Sequence, residues 1–197
     1  MEALNKLLGG EARVKTMRLF LANPEQVFTL REAAKSLRVS RPKIRRELKF
    51  LNSAGFIKKG IKKIEKKREP GFVLNPFFPF ARQFRALVVE AASISREIIA
   101  RRFKRLGKGL RLVLLSGVFI DRATPGHIDI LMVGDNIKRS KVEKILGKIE
   151  AELGKELNYA LFDTKEFKYR QGMYDRFILD ILESEHDILI NNQGAPR

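Results

Sequence analysis

The chain has 197 residues and a hydrophobic fraction of 44%, which allows one large domain or two small ones with well-formed cores. It contains no cysteine and only two histidines, so disulfides and thiolate metal sites are excluded and little is left for a histidine-based metal site. No apolar run approaches the ~18 residues of a membrane span, and the N-terminus lacks the order of a signal peptide. We therefore expect a soluble, cytoplasmic protein with no membrane partner.

The whole chain has a net charge of +17, and its positive charge is concentrated in the first part of the sequence. Residues 1–110 contain 27 Lys and Arg against 9 Asp and Glu, a net charge of +18, whereas residues 111–197 contain 13 against 14. A polycationic half favours nucleic acid as its partner. An anionic membrane surface is the alternative, but the cations fall on a predicted helix-turn-helix and a loop rather than opposite a large apolar helix face.

An N-terminal helix is predicted over residues 3–22 by its repeated apolar positions. Gly9 and Gly10 interrupt the pattern, so we expect a break there and a firmer helix from about Glu11. Residues 27–28 are predicted as a short strand before the next helix.

Residues 29–60 predict two helices joined by a tight turn and followed by a strand. Thr29, with Glu32 three residues later, has the pattern of a capping box for the first helix. Ser40 is the predicted cap of the second helix, and Gly55 is predicted to end it in a left-handed conformation. The apolar residues recur at helical spacing, which places one face of each helix in a core.

The second helix of this pair carries a dense set of cations on its N-terminal and outer faces. A helix fits the major groove of B-DNA, where residues near its N-terminus reach base edges. The predicted DNA contacts of this helix are Arg41, Lys43, Arg45, Arg46 and Lys49. The alternative is a surface helix with a solvated basic face, but the capping, turn and charge patterns agree and favour DNA.

Two short strands, at residues 56–59 and 72–75, flank a lysine-rich loop and predict a β-hairpin. Such a loop is suited to following the phosphate backbone or entering a minor groove. Its predicted DNA contacts are Lys62, Lys63, Lys66, Lys67 and Arg68. A solvated, mobile loop without a partner is the alternative, because loops often have this composition.

Residues 11–75 resemble a winged helix-turn-helix of the MarR/ArsR type, most clearly in residues 51–57 between the second helix and the hairpin. The resemblance implies binding to duplex DNA, usually by a two-fold dimer. It implies nothing about the target sequence.

An apolar, proline-bounded connector at residues 75–80 precedes a long helix predicted over residues 81–106. We expect the connector to dock, because three phenylalanines in water would be costly. The helix repeats apolar residues at alternating steps of three and four, as a coiled-coil seam does, at Phe84, Leu87, Ala91, Ile94 and Ile98. It either packs against its own domain or makes a dimer. We predict a homodimer, and the sequence leaves open whether this helix or the N-terminal one forms it.

Residues 111–197 predict a small α/β domain, because strands alternate with helices. Strands are predicted at residues 112–115, 128–133, 157–162 and 187–190. Helices are predicted at residues 138–153 and 174–182, with a short helix between them that Thr164 caps.

The order of strand, Ser116-Gly117 turn, strand, helix and strand resembles the minimal nucleotidyltransferase domain of the polymerase-beta-like superfamily. In that family a Gly-Ser turn approaches a triphosphate, and an Asp-x-Asp pair on the second strand holds Mg²⁺. Gly117 matches the glycine and Asp129 the second aspartate, but Val118 and His127 replace the serine and the first aspartate. The resemblance therefore implies the fold without its catalysis.

The loop that remains is a candidate pocket for a nucleotide or another small anion. The pocket residues are Ser116, Gly117, Arg122, His127 and Asp129, with Arg122 as the counter-charge. We predict no metal there, because one carboxylate and one histidine make a poor Mg²⁺ site. An active nucleotidyltransferase that modifies a protein or RNA is the alternative, and it would need Asp121 or Asp163 as a further ligand.

The predicted fold class is α+β: a winged helix domain at residues 1–75, a connector and long helix at residues 76–110, and a small α/β nucleotidyltransferase-like domain at residues 111–197. The whole chain resembles prokaryotic regulators of this architecture. We therefore predict a sequence-specific, duplex-DNA-binding transcriptional regulator, not an enzyme, that needs no cofactor and has a small molecule or nucleotide as candidate effector. A non-specific nucleic-acid-binding protein is a further alternative.

Overall fold

The computed structural model of the chain describes residues 2–64, 67–90, 95–120 and 128–192. Its fold is mixed α and β, and the described residues form a two-stranded and a four-stranded sheet. Contacts divide the chain into two compact units, which we call unit 1 (residues 1–94 and 147–156) and unit 2 (residues 95–146 and 157–197). No described helix combines the length and the apolar composition that crossing a membrane requires.

Unit 1 begins with a set of helices around one apolar core. These are α1 Glu2–Leu7, α2 Glu11–Ala22, α3 Leu30–Leu37 and α4 Arg41–Ser53. The predicted break between α1 and α2 is confirmed, since Gly9 and Gly10 both have positive φ. The predicted strand before α3 is reduced to a single β-bridge between Phe28 and Phe72.

The ends of α3 and α4 follow the sequence pattern. Thr29 and Glu32 form the predicted capping box: Glu32 N donates to the Thr29 hydroxyl at 3.2 Å, and Thr29 N donates to the Glu32 carboxylate at 3.0 Å. Gly55 ends α4 at φ +73°, as predicted, and Gly55 N and Phe56 N donate back to carbonyls of the last turn. Ser40 occupies the N-cap of α4, as predicted, but its side chain makes no capping hydrogen bond.

The hairpin of unit 1 is longer than the sequence predicted. Its strands are β1 Ile57–Ile64 and β2 Lys67–Leu74. The prediction of a long lysine-rich loop is wrong, because the antiparallel ladder continues as far as the pair of Ile64 with Lys67. Gly71 is needed because the backbone of Phe28 lies against the hairpin at this position: a Cβ on Gly71 would lie 2.7 Å from the Phe28 carbonyl oxygen.

The long helix predicted over residues 81–106 is not a single helix. Helix α5 Ala81–Arg85 passes into a π-helical turn over Ala86–Glu90, and α6 Arg96–Lys104 begins separately after Ser95. Ser95 has a ψ of 132°, which no helix accommodates, so the prediction of one continuous helix is wrong. The buried Arg18 side chain donates from Nε to the Val88 carbonyl at 2.7 Å, and this diversion of a backbone acceptor accompanies the π-helical turn.

The connector and the helix after it contribute to the core of unit 1. The predicted docking of the connector is confirmed for only one of its three phenylalanines: the Phe78 ring lies 5.1 Å from that of Phe56, whereas Phe77 and Phe80 are exposed. Val88 is fully buried and Phe84 packs beside it in the same core. Of the predicted seam positions, Ala91 and Ile94 lie outside the described residues.

Unit 2 is built on a four-stranded sheet. Its strands are β3 Leu110–Leu115, β4 Ile130–Gly134, β5 Tyr159–Phe162 and β6 Asp187–Asn191. The order across the sheet is β5-β4-β3-β6, with β4 parallel to β5 and β3 antiparallel to both β4 and β6.

The helices of this part of the chain are α7 Arg139–Leu153, α8 Thr164–Gly172 and α9 Arg176–Glu183. Helix α7 connects β4 to β5, and its residues 147–153 belong to unit 1. Helices α8 and α9 pack on the face of the sheet that carries Leu112, Leu114, Leu131 and Val133. The strands and helices predicted here are confirmed, with ends shifted by no more than two residues.

Candidate functional site

Helix α4 presents opposite faces to the core and to solvent. Ile44, Leu48 and Leu51 are buried in the core of unit 1. The cations predicted to contact DNA are all exposed on the remaining surface of the helix: Arg41, Lys43, Arg45, Arg46 and Lys49. We call this set the α4 ridge.

The acidic residue of α4 does not neutralise the α4 ridge, because it is paired with another helix. None of the five cations forms an ion pair with another described residue. Glu47 instead accepts a hydrogen bond from Arg13 Nε of α2 at 2.8 Å. The Arg13 guanidinium also lies 3.7 Å from the centre of the Phe50 ring. Sequence reasoning missed this contact, because no local pattern links α2 to α4.

The cations predicted on the hairpin fall on both of its faces. Residues paired across an antiparallel ladder share a face, so Lys63 and Arg68 lie together on one face. By the alternation along each strand, Lys62 and Lys67 belong to the opposite face. Lys66 lies outside the described residues.

Lys62 differs from the other hairpin cations because its charge is paired. Its Nζ lies 2.6 Å from Glu32 Oε1, so the carboxylate that closes the capping box with Thr29 also holds the hairpin. Burial alone would raise the pKa of Glu32, but hydrogen bonds from Lys62 and Thr29 outweigh it, and the pKa lies below its ordinary value of 4.5. Lys62 is therefore part of the fold as well as a predicted DNA contact.

The second candidate site, the turn after β3, is held by hydrogen bonds within unit 2. Asp129 is 5% exposed, its Oδ1 accepts from Val118 N at 3.0 Å, and its Oδ2 accepts from Asn158 N at 2.9 Å. The Ser116 hydroxyl donates to the Ile128 carbonyl oxygen. Each carboxylate oxygen therefore accepts a backbone N–H, which is a sufficient structural reason for a buried aspartate at this position.

Gly117 is required by the same arrangement. Its φ is +54°, and a Cβ on it would collide with Asp129 Oδ1. The turn thus needs glycine for its own geometry, without a phosphate to approach. The other residues of the predicted anion pocket, Arg122 and His127, lie outside the described residues, as does Asp121.

The carboxylates that follow β4 and β5, at the end of the sheet opposite this turn, cap a helix and a turn. Asp163 occupies the N-cap of α8 and accepts from Glu166 N at 2.7 Å, so the prediction of Thr164 as the cap is wrong. Thr164 instead donates its N–H and its hydroxyl to Asp135, at 3.0 and 2.8 Å, and these hydrogen bonds lower the pKa of Asp135. Across the ranges that the structure describes, no cluster of three or more His, Asp and Glu residues is placed to hold a metal ion.

The structure thus places the described candidates for DNA contact on two elements of unit 1, five on α4 and four distributed over both faces of the hairpin. The described residues of the predicted anion pocket, Ser116, Gly117 and Asp129, also adjoin one another, but their polar groups serve the turn itself. Comparisons with models of protein families, with curated proteins and with solved structures find no match to this chain.

Proposed function

We propose that unit 1 is a winged helix-turn-helix and that the chain is a sequence-specific, duplex-DNA-binding transcriptional regulator. The observation that carries this proposal is the α4 ridge, five exposed cations that form no ion pair with a described residue, opposite a face buried through Ile44, Leu48 and Leu51. A helix held on one side by a core and cationic on the other is suited to the major groove of DNA.

The two groups of cations have different tasks in this proposal. Arginines of the α4 ridge reach base edges, where a guanidinium pairs with the O6 and N7 acceptors of guanine. Lys63 and Arg68, on one face of the hairpin, neutralise phosphates and fix the orientation of the protein on the duplex. Base contacts supply sequence preference, and phosphate contacts supply affinity that salt weakens.

A pair of substitutions tests this division. Arg45→Ala should reduce discrimination between a target and a scrambled duplex by about 1–3 kcal/mol if Arg45 reads a base. Lys63→Ala should weaken both duplexes alike and reduce the salt slope by about one unit. Lys168→Ala, an exposed lysine of α8 in unit 2, is the matched control and should change neither quantity. Equal, salt-independent losses in Arg45→Ala and Lys63→Ala would contradict the proposal.

We further propose that unit 2 has a nucleotidyltransferase-like fold that transfers no nucleotide. Its support is Asp129, whose two oxygens each accept a backbone N–H rather than facing an open metal site. Incubation with a radiolabelled nucleoside triphosphate and Mg²⁺ or Mn²⁺ should leave the protein and added RNA unlabelled. Labelling by the wild-type chain that falls in Asp129→Asn would overturn this part of the proposal.

The homodimer is the third part of the proposal. Exposed apolar side chains of unit 1 favour it, because Phe77, Phe80 and Leu87 are 86%, 56% and 46% exposed and a subunit contact would bury apolar area of this kind. Sedimentation equilibrium at micromolar concentration should give twice the mass of the chain. A monomer throughout the concentration range would count against the dimer.

A further inference from the structure

Helix α8, the start of α9 and the turn between them carry large apolar side chains that the fold leaves exposed. Tyr169 and Met173 are 68% and 65% exposed, and Tyr174 is 78% exposed. Tyr169 and Met173 are four residues apart, so they lie on the same side of α8, and Lys165 precedes them on that side by one further turn. We call the exposed residues of this region the α8–α9 corner: Lys165, Tyr169, Met173, Tyr174, Arg176 and Phe177.

Tyr174 adopts a backbone conformation that favours glycine. Its φ is +53°, and it directly follows Met173, the C-cap residue of α8. Glycine is the usual residue at this position, because a Cβ is strained in the left-handed region. Burial does not compensate for the strain, since most of the tyrosine side chain is exposed. Neither backbone preference nor core packing accounts for a tyrosine here, which points to a partner at the surface.

Hydrogen bonds hold the backbone on both sides of Tyr174. Tyr174 N donates to the Gln171 carbonyl at 3.2 Å, and Asp175 N donates to the Arg170 carbonyl at 3.0 Å. The Asp175 carboxylate accepts from Phe177 N at 2.9 Å and so caps α9. The aromatic side chains therefore extend from a braced turn, and a partner has little backbone freedom to remove on binding.

The α8–α9 corner is positively charged because one arginine holds the carboxylates of this region. Arg170 forms ion pairs with Glu166 at 2.8 Å and with Asp175 at 3.4 Å. Lys165 and Arg176 form no ion pair with a described residue. Exposed rings and available cations therefore occur together in one short stretch of surface.

This combination matches the chemistry of an unpaired nucleic-acid strand. Its bases offer flat faces that stack on tyrosine, and the phosphates between them attract lysine and arginine. A neutral apolar peptide would leave the cations without a counter-charge. In a duplex the bases are already stacked on one another, so a duplex offers the corner its phosphates but no base faces.

We infer that the α8–α9 corner binds single-stranded DNA. Bases stack on Tyr169 and Tyr174, and the two cations of the corner neutralise phosphates. DNA fits better than RNA, because the carboxylates within residues 165–177 are engaged by Arg170 rather than free to accept from a ribose 2′-hydroxyl. The inference goes beyond the proposed function and does not depend on it, since the α4 ridge belongs to unit 1 and the corner to unit 2.

The test compares two strands of equal charge by fluorescence anisotropy, with the full chain near physiological salt. One strand is an oligothymidylate of about twelve nucleotides, and the other has the same length and phosphates but abasic sugars. The wild-type chain should bind the oligothymidylate about tenfold or more tightly, because only that strand has bases to stack. Equal affinities would overturn the inference, since charge alone would then account for the binding.

Tyr174→Gly separates strand binding from folding. Glycine relaxes the left-handed backbone, so unit 2 should be no less stable in urea, as followed by the fluorescence of the remaining tyrosines. The preference for the oligothymidylate should nevertheless fall by about fivefold, whereas Tyr174→Phe, which keeps the ring, should retain it. Lys168→Ala removes an exposed lysine of α8 outside the corner and is the control for charge. A Tyr174→Gly chain that keeps the full preference, or a loss as large in Lys168→Ala, would refute the corner as the site.

Two further measurements decide the identity of the partner. An oligouridylate that binds more tightly than the oligothymidylate would overturn the assignment to DNA. A dimer that Tyr174→Gly dissociates, with strand binding unchanged, would assign the corner to a protein contact and also overturn the inference.

Duplex binding, measured on the same variants, separates this inference from the proposed function. Tyr174→Gly should leave the affinity for duplex unchanged, because the corner offers nothing to stacked bases. A chain with a Tyr174-dependent preference for the oligothymidylate that binds no duplex refutes the proposed function alone. A chain that binds duplex but treats the two single strands alike refutes the corner alone.

Discussion

The α4 ridge and the turn at Ser116 use their polar groups in opposite ways. On α4, five cations are exposed and form no ion pair with a described residue, and Glu47 is held by Arg13. In the turn, the Asp129 carboxylate is buried and both of its oxygens accept backbone N–H groups. The first set of charges is available to a partner, whereas the second is used by the fold. Charged residues in a motif therefore indicate binding only where the fold leaves them without ion pairs or hydrogen bonds of its own.

Asp129→Ala should have the largest effect on this comparison. The substitution removes two hydrogen bonds to a buried carboxylate, from the backbone N–H groups of Val118 and Asn158, so unit 2 should lose about 2–5 kcal/mol in its free energy of unfolding. All three tyrosines of the chain lie in unit 2 and there is no tryptophan, so tyrosine fluorescence during urea denaturation reports on unit 2.

Asp180→Ala, an exposed aspartate of α9, serves as the control for Asp129→Ala and should change the stability of unit 2 little. If Asp129→Ala is as stable as Asp180→Ala, Asp129 is not structural. A functional role for this carboxylate would then have to be reconsidered.

Gly117→Ala should have the next largest effect. The new side chain would occupy a left-handed conformation at φ +54° and collide with the Asp129 carboxylate, at a cost of about 1–3 kcal/mol. Gly172→Ala is the matched control, because a Cβ at the end of α8 meets no atom within 4 Å. Urea denaturation followed by tyrosine fluorescence compares the two variants, and equal stabilities would contradict the role assigned to Gly117.

Glu32→Gln probes the ion pair that the fold makes with Lys62 of the hairpin. Glutamine can still cap α3, so the loss is that of a partly exposed ion pair, about 0.2–1 kcal/mol at pH 7. Because the pKa of Glu32 is lowered in the fold, this contribution is present above about pH 4.5 and is lost as pH falls through the folded pKa. Urea denaturation followed by far-ultraviolet circular dichroism should show the difference between wild type and variant shrinking below pH 4.5. A difference that stays constant with pH would contradict the ion pair with Lys62.

Lys62→Gln and Lys63→Gln should give the smallest and most specific contrast. Lys63→Gln removes an exposed cation and should reduce the salt slope of duplex binding by about one unit. Lys62→Gln should reduce it by less, because Glu32 already offsets part of the charge of Lys62. Fluorescence anisotropy at several salt concentrations measures both slopes, and a larger effect at Lys62 would reverse our assignment.

The sequence predicted the helix boundaries best where the signals are local. The capping box of Thr29 and Glu32 and the left-handed Gly55 each depend on residues within one turn of a helix, and the structure has both. The predicted length of the hairpin strands was wrong, because the lysines and Gly60 favour a loop in the sequence. The ladder instead continues to the pair of Ile64 with Lys67, through backbone pairing that no local pattern in the sequence specifies.

The prediction of one continuous helix over residues 81–106 was wrong for a related reason. The helical spacing of apolar residues continues past Ser95, so it gives no indication that the backbone at Ser95 has an extended ψ. Of the candidate sites, the α4 ridge was predictable because its cations and its buried apolar residues all lie within one helix, at helical spacing. The ion pair of Lys62 with Glu32 joins elements far apart in sequence, and so required the structure.

Sequence-specific recognition can be tested by selection from a random pool of duplex DNA, near physiological salt and with the purified full chain. We expect an enriched palindromic motif with half-sites about one helical turn apart, because the proposed dimer would present two α4 ridges. An Arg45→Ala protein should enrich a more degenerate motif. A pool without an enriched motif, together with binding that disappears as salt rises, would contradict sequence-specific recognition and leave a protein that binds nucleic acid by charge alone.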